Sequence, residues 1–161
     1  MGKIVVAGSI NMDVVTQAER LPKPGETLFG HDLHYIPGGK GSNQAVAASR
    51  LSDAVYLVGK LGRDPFGDAL TTFLNAERLN LSYLGYDDKA PTGIALITVD
   101  DASENTIVVI SGSNFEVSSA DVEAVSIDAE DTVVSVFEIP QETIRTLFER
   151  AKAVGARTVL N

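Results

Sequence analysis

The sequence predicts an α/β fold: a parallel sheet flanked by helices, with a second, smaller sheet made of strands alone. Three observations lead there. Short, continuously apolar, β-branched runs such as Ile4-Val5-Val6-Ala7 read as central parallel strands, apolar on both faces. Helix-forming segments with a single apolar stripe lie between such runs, so strand and helix alternate. Two stretches, near 14–37 and 90–111, break the alternation with strand character only.

The elements follow in order. The first run stops at Gly8. Residues 25–36 mix Thr27, Phe29, Leu33, Tyr35 and Ile36 with Glu26, His31, Asp32 and His34, the pattern of exposed sheet with one wet face. The glycine cluster Gly38-Gly39-Lys40-Gly41-Ser42-Asn43 leads into Gln44–Leu51, rich in helix formers. Strand character returns over 54–61. Pro65 suits a first helical turn, and Phe66, Ala69, Leu70, Phe73 and Leu74 follow as one stripe. The runs 92–99 and 104–110, joined by Asp100-Asp101-Ala102-Ser103, read as a hairpin. Ser118 to Asp121 offers caps for a short helix. Thr132–Phe137 reads as a buried strand, and Pro140 opens a helix striped by Ile144, Leu147, Phe148 and Ala151. Gly155 ends that helix, and Arg157–Leu160 begins another strand. The expected organisation is a core unit of 1–13, 38–89 and 112–161, with a β unit of 14–37 and 90–111.

Composition excludes several function classes. The chain has 161 residues, 44% of them apolar, enough for a real core. Its net charge of −9, with only 13 scattered Lys and Arg, argues against nucleic-acid binding. There is no cysteine, so disulfide, thiolate and Cys–metal chemistry are out, which fits a cytoplasmic location. The opening apolar run is too short for the core of a signal peptide, and no stretch approaches a membrane span, so no membrane partner is expected.

Three motifs can carry chemistry. Gly8-Ser9-Ile10-Asn11-Met12-Asp13 follows the first strand at its carboxyl end, where open α/β sheets bind ligands. Asn11 and Asp13, two apart in extended chain, face the same way and together suit neighbouring hydroxyls of a polyol. The alternative is a turn in which both bond their own backbone. The glycine cluster lets backbone approach a ligand, with the next helix's first N–H groups pointing outward and Lys40 available to offset phosphate charge. It is neither a Walker A loop nor a dinucleotide fingerprint, and the alternative is an ordinary loop-to-helix junction. Glu138 is a carboxylate at a strand's carboxyl end; by itself it reads equally as a cap for the helix Pro140 starts. His31 and His34 read as a solvated pair without further ligands, Asp128, Glu130 and Asp131 as a solvated loop, and most aromatics as core.

Taken in order, these motifs resemble the PfkB family of carbohydrate kinases, its ribokinase-like members in particular. The family's glycine signature runs from Gly38 through Asn43 and Ala45 to Ser52 and Gly62, with every fixed position filled. Pro24-Gly25-Glu26-Thr27 and Thr92-Gly93 with Ala95-Leu96 add to the likeness. The resemblance implies a Rossmann-like core with a β-sheet lid. It implies that Asn11, Asp13, Gly39, Lys40, Asn43 and Glu138 hold ribose, with Ala95 and Ile110 over the ring. It implies phosphorylation of D-ribose to ribose 5-phosphate, with ATP, Mg²⁺ and a monovalent cation serving the full-length enzyme, and a homodimer through the lid or an exposed sheet edge. The family's Gly-Ala-Gly-Asp anion hole with its catalytic Asp, its nucleotide pocket and its Asn-x-x-Glu motif would lie beyond Asn161. No catalytic residue is therefore expected within the chain, and the chain alone is expected to be inactive and to bind those cofactors poorly. The alternatives are a non-catalytic sugar-binding or self-associating module, or a parent enzyme specific for another sugar or a nucleoside.

Overall fold

The computed structural model describes residues 2–161; Met1, the first residue of the opening run, lies outside them. Five strands form a parallel sheet: β1 (Ile4–Ala7), β4 (Val55–Gly62), β5 (Asn80–Asp87), β8 (Thr132–Ser135) and β9 (Arg157–Leu160), in the order β5-β4-β1-β8-β9. Helices cover both faces. On one side α1 (Lys40–Ser49) and α2 (Pro65–Ala76) bury Ala45, Val46, Leu70 and Leu74 against Val6, Val55, Leu57 and Leu61. On the other, α3 (Ser119–Glu123) and α4 (Gln141–Val154) bury Val122, Ile144, Leu147 and Ala151 against Val5, Ala7 and Val133. Because both faces are covered, β1 must be apolar on both, and Val5, Val6 and Ala7 are all buried.

The helix ends follow the sequence signals. Asp64 caps α2, its carboxylate accepting from the Gly67 N–H at 2.8 Å, with Pro65 in the first turn. Asp121 accepts from both the N–H and the hydroxyl of Ser118 at 2.7 Å, which starts α3. Gly155 closes α4 in the left-handed conformation, φ 85°.

A second sheet has the order β3-β2-β6-β7, from β2 (Asn11–Ala18), β3 (Asp32–Gly38), β6 (Gly93–Asp100) and β7 (Asn105–Ile110). The β6–β7 hairpin turns where the polar link predicts. Asp100 accepts from the N–H groups of Ala102 and Glu104, both at 2.9 Å. The strand β2 starts at Asn11, inside the first motif, and runs parallel to β6 and antiparallel to β3.

Several elements differ from the sequence reading. Residues 25–31 are not strand: Gly25 takes a positive φ, and pairing of β3 with β2 begins only at Asp32. The strand β5 gave no clear signal because it is half exposed and rich in polar residues; it exists by pairing with β4. The strand β8 stops at Ser135, leaving Phe137 in a turn and exposed. Phe29 and Phe115 are also exposed, so fewer aromatics are core than the sequence suggests. Asp131 is no solvated residue: it is buried, and it accepts from the Lys3 N–H at 2.9 Å and the Lys3 ammonium at 2.5 Å.

Candidate functional site

The strand β1 pairs with β4 on one side and β8 on the other, so chain connections leave it in both directions. The carboxyl ends of β1 and β8 therefore open onto one crevice, the usual ligand position in such sheets. Gly8–Asp13 emerges from β1 and Phe137–Glu138 from β8.

The glycine cluster brings α1 against this crevice. Gly39 has φ 93°, and a Cβ there would lie 2.7 Å from the Ser9 carbonyl oxygen and the Asn11 nitrogen. No other residue fits that conformation in that space. The first amides of α1 do not point at open space, as the sequence reading had them. The Ser42 N–H donates to the Ser9 carbonyl at 2.9 Å, and the Gly41 N–H faces the Ser9 hydroxyl at 3.4 Å. Nor is Lys40 free to meet a phosphate: its ammonium donates to Glu138 Oε1. The Ser9 hydroxyl donates to the other oxygen, Oε2, at 2.6 Å. Glu138 therefore belongs to this cluster and caps no helix; Pro140 at the start of α4 has no side-chain cap.

Asn11 and Asp13 share one face of β2, and the Asp13 carboxylate lies directly over Gly38, where any Cβ would collide with it. Asn11 is buried, accepting at Oδ1 from Asn114 Nδ2 at 2.7 Å. Asn43 is exposed one turn along α1 from Lys40, on the same helix face. Ala95 is buried beside Asp13 in the β2–β6 register. Ile110 is not on this face. It pairs with Ile94, whereas Val109 pairs with Ala95, and side chains alternate along a strand. Val109 accordingly lines the crevice where Ile110 was expected.

The crevice is a cavity of about 200 Å³ lined by Ser9, Asn11, Val109, Asn114, Phe137 and Glu138, among others. Its polar lining residues Ser9, Asn11 and Asn114 are buried and its apolar ones Val109, Phe115 and Phe137 are exposed, a mix of few polar and several apolar groups common to small-molecule sites. A larger open hollow, about 840 Å³, lies under the 19–31 loop at the far end of the second sheet and contains none of these residues.

The two carboxylates are tuned apart. Burial, with Glu138 nearby, raises the Asp13 carboxyl above the usual aspartate range, against the pull of Lys40. Burial pushes Glu138 upward too, but hydrogen bonds from Lys40 and Ser9 outweigh it and hold Glu138 below the usual glutamate range.

Sequence reasoning missed Ser9 and Asn114 as site residues, and also Asp64, which joins the two sheets. Asp64 accepts from the Thr92 N–H at 2.7 Å and the Thr92 hydroxyl at 2.8 Å, tying the start of β6 to α2. His31 and His34 approach Asp101 and Asp32 on the exposed loop side, away from the crevice.

The sequence model of the pfkB family of carbohydrate kinases matches residues 1–161. The chain belongs to the PfkB carbohydrate kinase family. Within the family it is 39% identical over 163 residues to the ribokinase of Bacillus subtilis, covering 100% of this chain and 55% of that protein. It is 34% identical over 160 residues to a deoxyribokinase of Salmonella typhi, covering 98% and 52%. The structure of Arabidopsis thaliana ribokinase complexed with ribose and ATP superimposes with a TM-score of 0.84 at 30% identity, covering 99% of this chain and 53% of that one. This PfkB chain thus spans about half the length of the relatives it matches.

Proposed function

We propose that the chain forms the acceptor-holding half of an ATP-dependent kinase that phosphorylates D-ribose to ribose 5-phosphate. The observation that carries this reading is the cluster at the carboxyl ends of β1 and β8: Asn11 and Glu138 line one small cavity, Lys40 donates to Glu138, and Asp13, on the same face of β2 as Asn11, feels the charges of both Glu138 and Lys40. Asn11 and Asp13 bind sugar hydroxyls. Gly39, Lys40 and Asn43 line the α1 side, and Glu138 reaches the sugar from the opposite wall. Ala95 and Val109 cover the ring, and the second sheet acts as a lid over it.

Phosphoryl transfer depends on positioning the acceptor and stabilising charge on the phosphoryl group. These residues supply the first requirement. Among the described residues no three His, Asp or Glu side chains gather into a metal-holding cluster. ATP as donor rests on the family assignment, and the isolated chain is proposed to be catalytically silent. A cytoplasmic location accords with the absence of cysteine.

Two measurements test the reading. Melting temperature is followed with ribose, 2-deoxyribose, fructose and adenosine, since a ligand stabilises in proportion to its occupancy of the fold. Ribose is expected to give the largest rise, and a larger rise with adenosine overturns the substrate assignment. Incubated with ribose, ATP and Mg²⁺, the isolated chain is expected to form no ribose 5-phosphate; formation free of contaminating enzyme refutes the silent half.

A second reading, a self-associating module, is favoured by one specific feature. The edge strand β7 exposes Ile107, Val108, Val109 and Ile110 together, and β9 exposes Val159 and Leu160 at the edge of the main sheet. Unpaired apolar edges favour association. The two readings are compatible, with a homodimer formed through the lid, the sheet edge or both.

A further inference from the structure

Asn114 sits in the 3₁₀ turn Gly112–Glu116, beyond the lid hairpin, and is 1% exposed. Its orientation follows from a backbone group. An N–H can only donate, so the Asn114 atom 2.9 Å from the Ile10 nitrogen is its oxygen, Oδ1. The other amide atom is then Nδ2, which donates to the Ile10 carbonyl at 3.3 Å and to an Asn11 atom at 2.7 Å. That partner must accept, so it is Asn11 Oδ1. Each assignment forces the next, and none depends on choosing an amide flip.

Asn11 Nδ2 is left with no protein partner among the described residues. Asn11 lines the cavity, so the edge it offers there is a donor. The clasp is built closely: a Cβ on Gly93 would fall on both Asn114 Nδ2 and Asn11 Oδ1. The residue before it, Thr92, is fully buried and anchored on Asp64.

We infer that Asn114 is a positioning residue that locks Asn11 as a hydrogen-bond donor, so that Asn11 and Asp13 read a ligand hydroxyl as a donor–acceptor pair. The hydroxyl accepts from Asn11 Nδ2 and donates to the Asp13 carboxylate. A carbonyl or ether can make only the first contact, and an ammonium only the second. The clasp rests on the geometry alone, while its ligand rests on the sugar-binding reading above.

Side-chain amide exchange by ¹⁵N NMR on the full 161-residue chain tests both parts. In the sugar-free protein the Asn114 amide protons are expected to exchange slowly and those of Asn11 fast. Adding ribose should slow the Asn11 amide and leave that of Asn114 unchanged. Asn114→Asp offers Asn11 only an acceptor, so Asn11 turns its amide inward. That variant is expected to show slow Asn11 exchange without sugar and to lose about ten-fold or more in ribose affinity, the cost of one misdirected buried hydrogen bond. Slow Asn11 exchange in the free wild-type chain overturns the clasp, even if Asn114→Asp does not fold. So does Asn114→Asp binding ribose as the wild type does. If ribose perturbs no wild-type resonance, the hydroxyl-reading half falls with the sugar assignment, while the exchange pattern of the free chain still decides the clasp.

Discussion

At the scale of residues, Asp13 carries a carboxylate that burial and Glu138 push toward its neutral form, against the pull of Lys40. Its folded pKa is raised, so the folded chain keeps a proton at a pH where the unfolded chain has lost it. Ionised Asp13 therefore costs stability at neutral pH, and the cost is relieved as pH falls. Asp13→Asn should leave the melting temperature unchanged or higher while lowering ribose affinity about 100-fold, the cost of a lost charged hydrogen bond. Wild-type affinity should decline as pH falls, starting above the usual aspartate range, because the hydroxyl needs a carboxylate to accept from it. Glu138 runs the other way. Its pKa is depressed, so its contribution is present above the unfolded value and is lost as pH falls through the folded one. Glu138→Gln should cost about 1 kcal/mol at pH 7, read by urea unfolding, with the gap closing in acid. The spacing of Asn11 and Asp13 was legible because a strand's period of two needs no tertiary knowledge. Asn114 was not, since its partner Asn11 lies 103 residues away in sequence. Ile110 was misread for Val109 because the register of the hairpin decides which residues face the crevice, and a slip of one position reverses the face.

Among the elements, the tightest constraint is where α1 meets the segment after β1. Gly39→Ala places a Cβ 2.7 Å from the Ser9 carbonyl oxygen at φ 93°, and should destabilise the chain by about 2–3 kcal/mol by urea unfolding. The stripes of α2 and α4 were readable because a 3.6-residue period survives without context, and Leu70, Leu74, Leu147 and Ala151 are indeed buried. The loop over 25–31 and the strand β5 were not, since pairing rather than propensity determines them. Flanking glycines marked the α1 junction, but they did not show that the helix's first amides are spent on Ser9.

Across the whole molecule, long-range ties hold distant segments to the core. The chain's start is fixed to the segment before β8 by Lys3 and Asp131, whose side chains are 16% and 4% exposed. Burial raises the Asp131 carboxyl, but the Lys3 ammonium and the Lys3 and Asp128 N–H groups outweigh it and depress its pKa. Its contribution is thus present above the unfolded pKa and lost as pH falls. Asp131→Ala should cost about 2–3 kcal/mol at pH 7, and less in acid, by unfolding across pH. Asp64 and Thr92 make another, between the second sheet and the main one. The alternation of strand and helix made the main sheet legible, whereas the composition of the crevice depended on where three separate segments meet. The most direct test of the account is calorimetric titration of the chain with ribose, with Asp13→Ala as control. Saturable one-to-one binding that disappears in the variant is predicted; no binding to the wild-type chain, or equal binding by both proteins, contradicts an acceptor site built on Asn11 and Asp13.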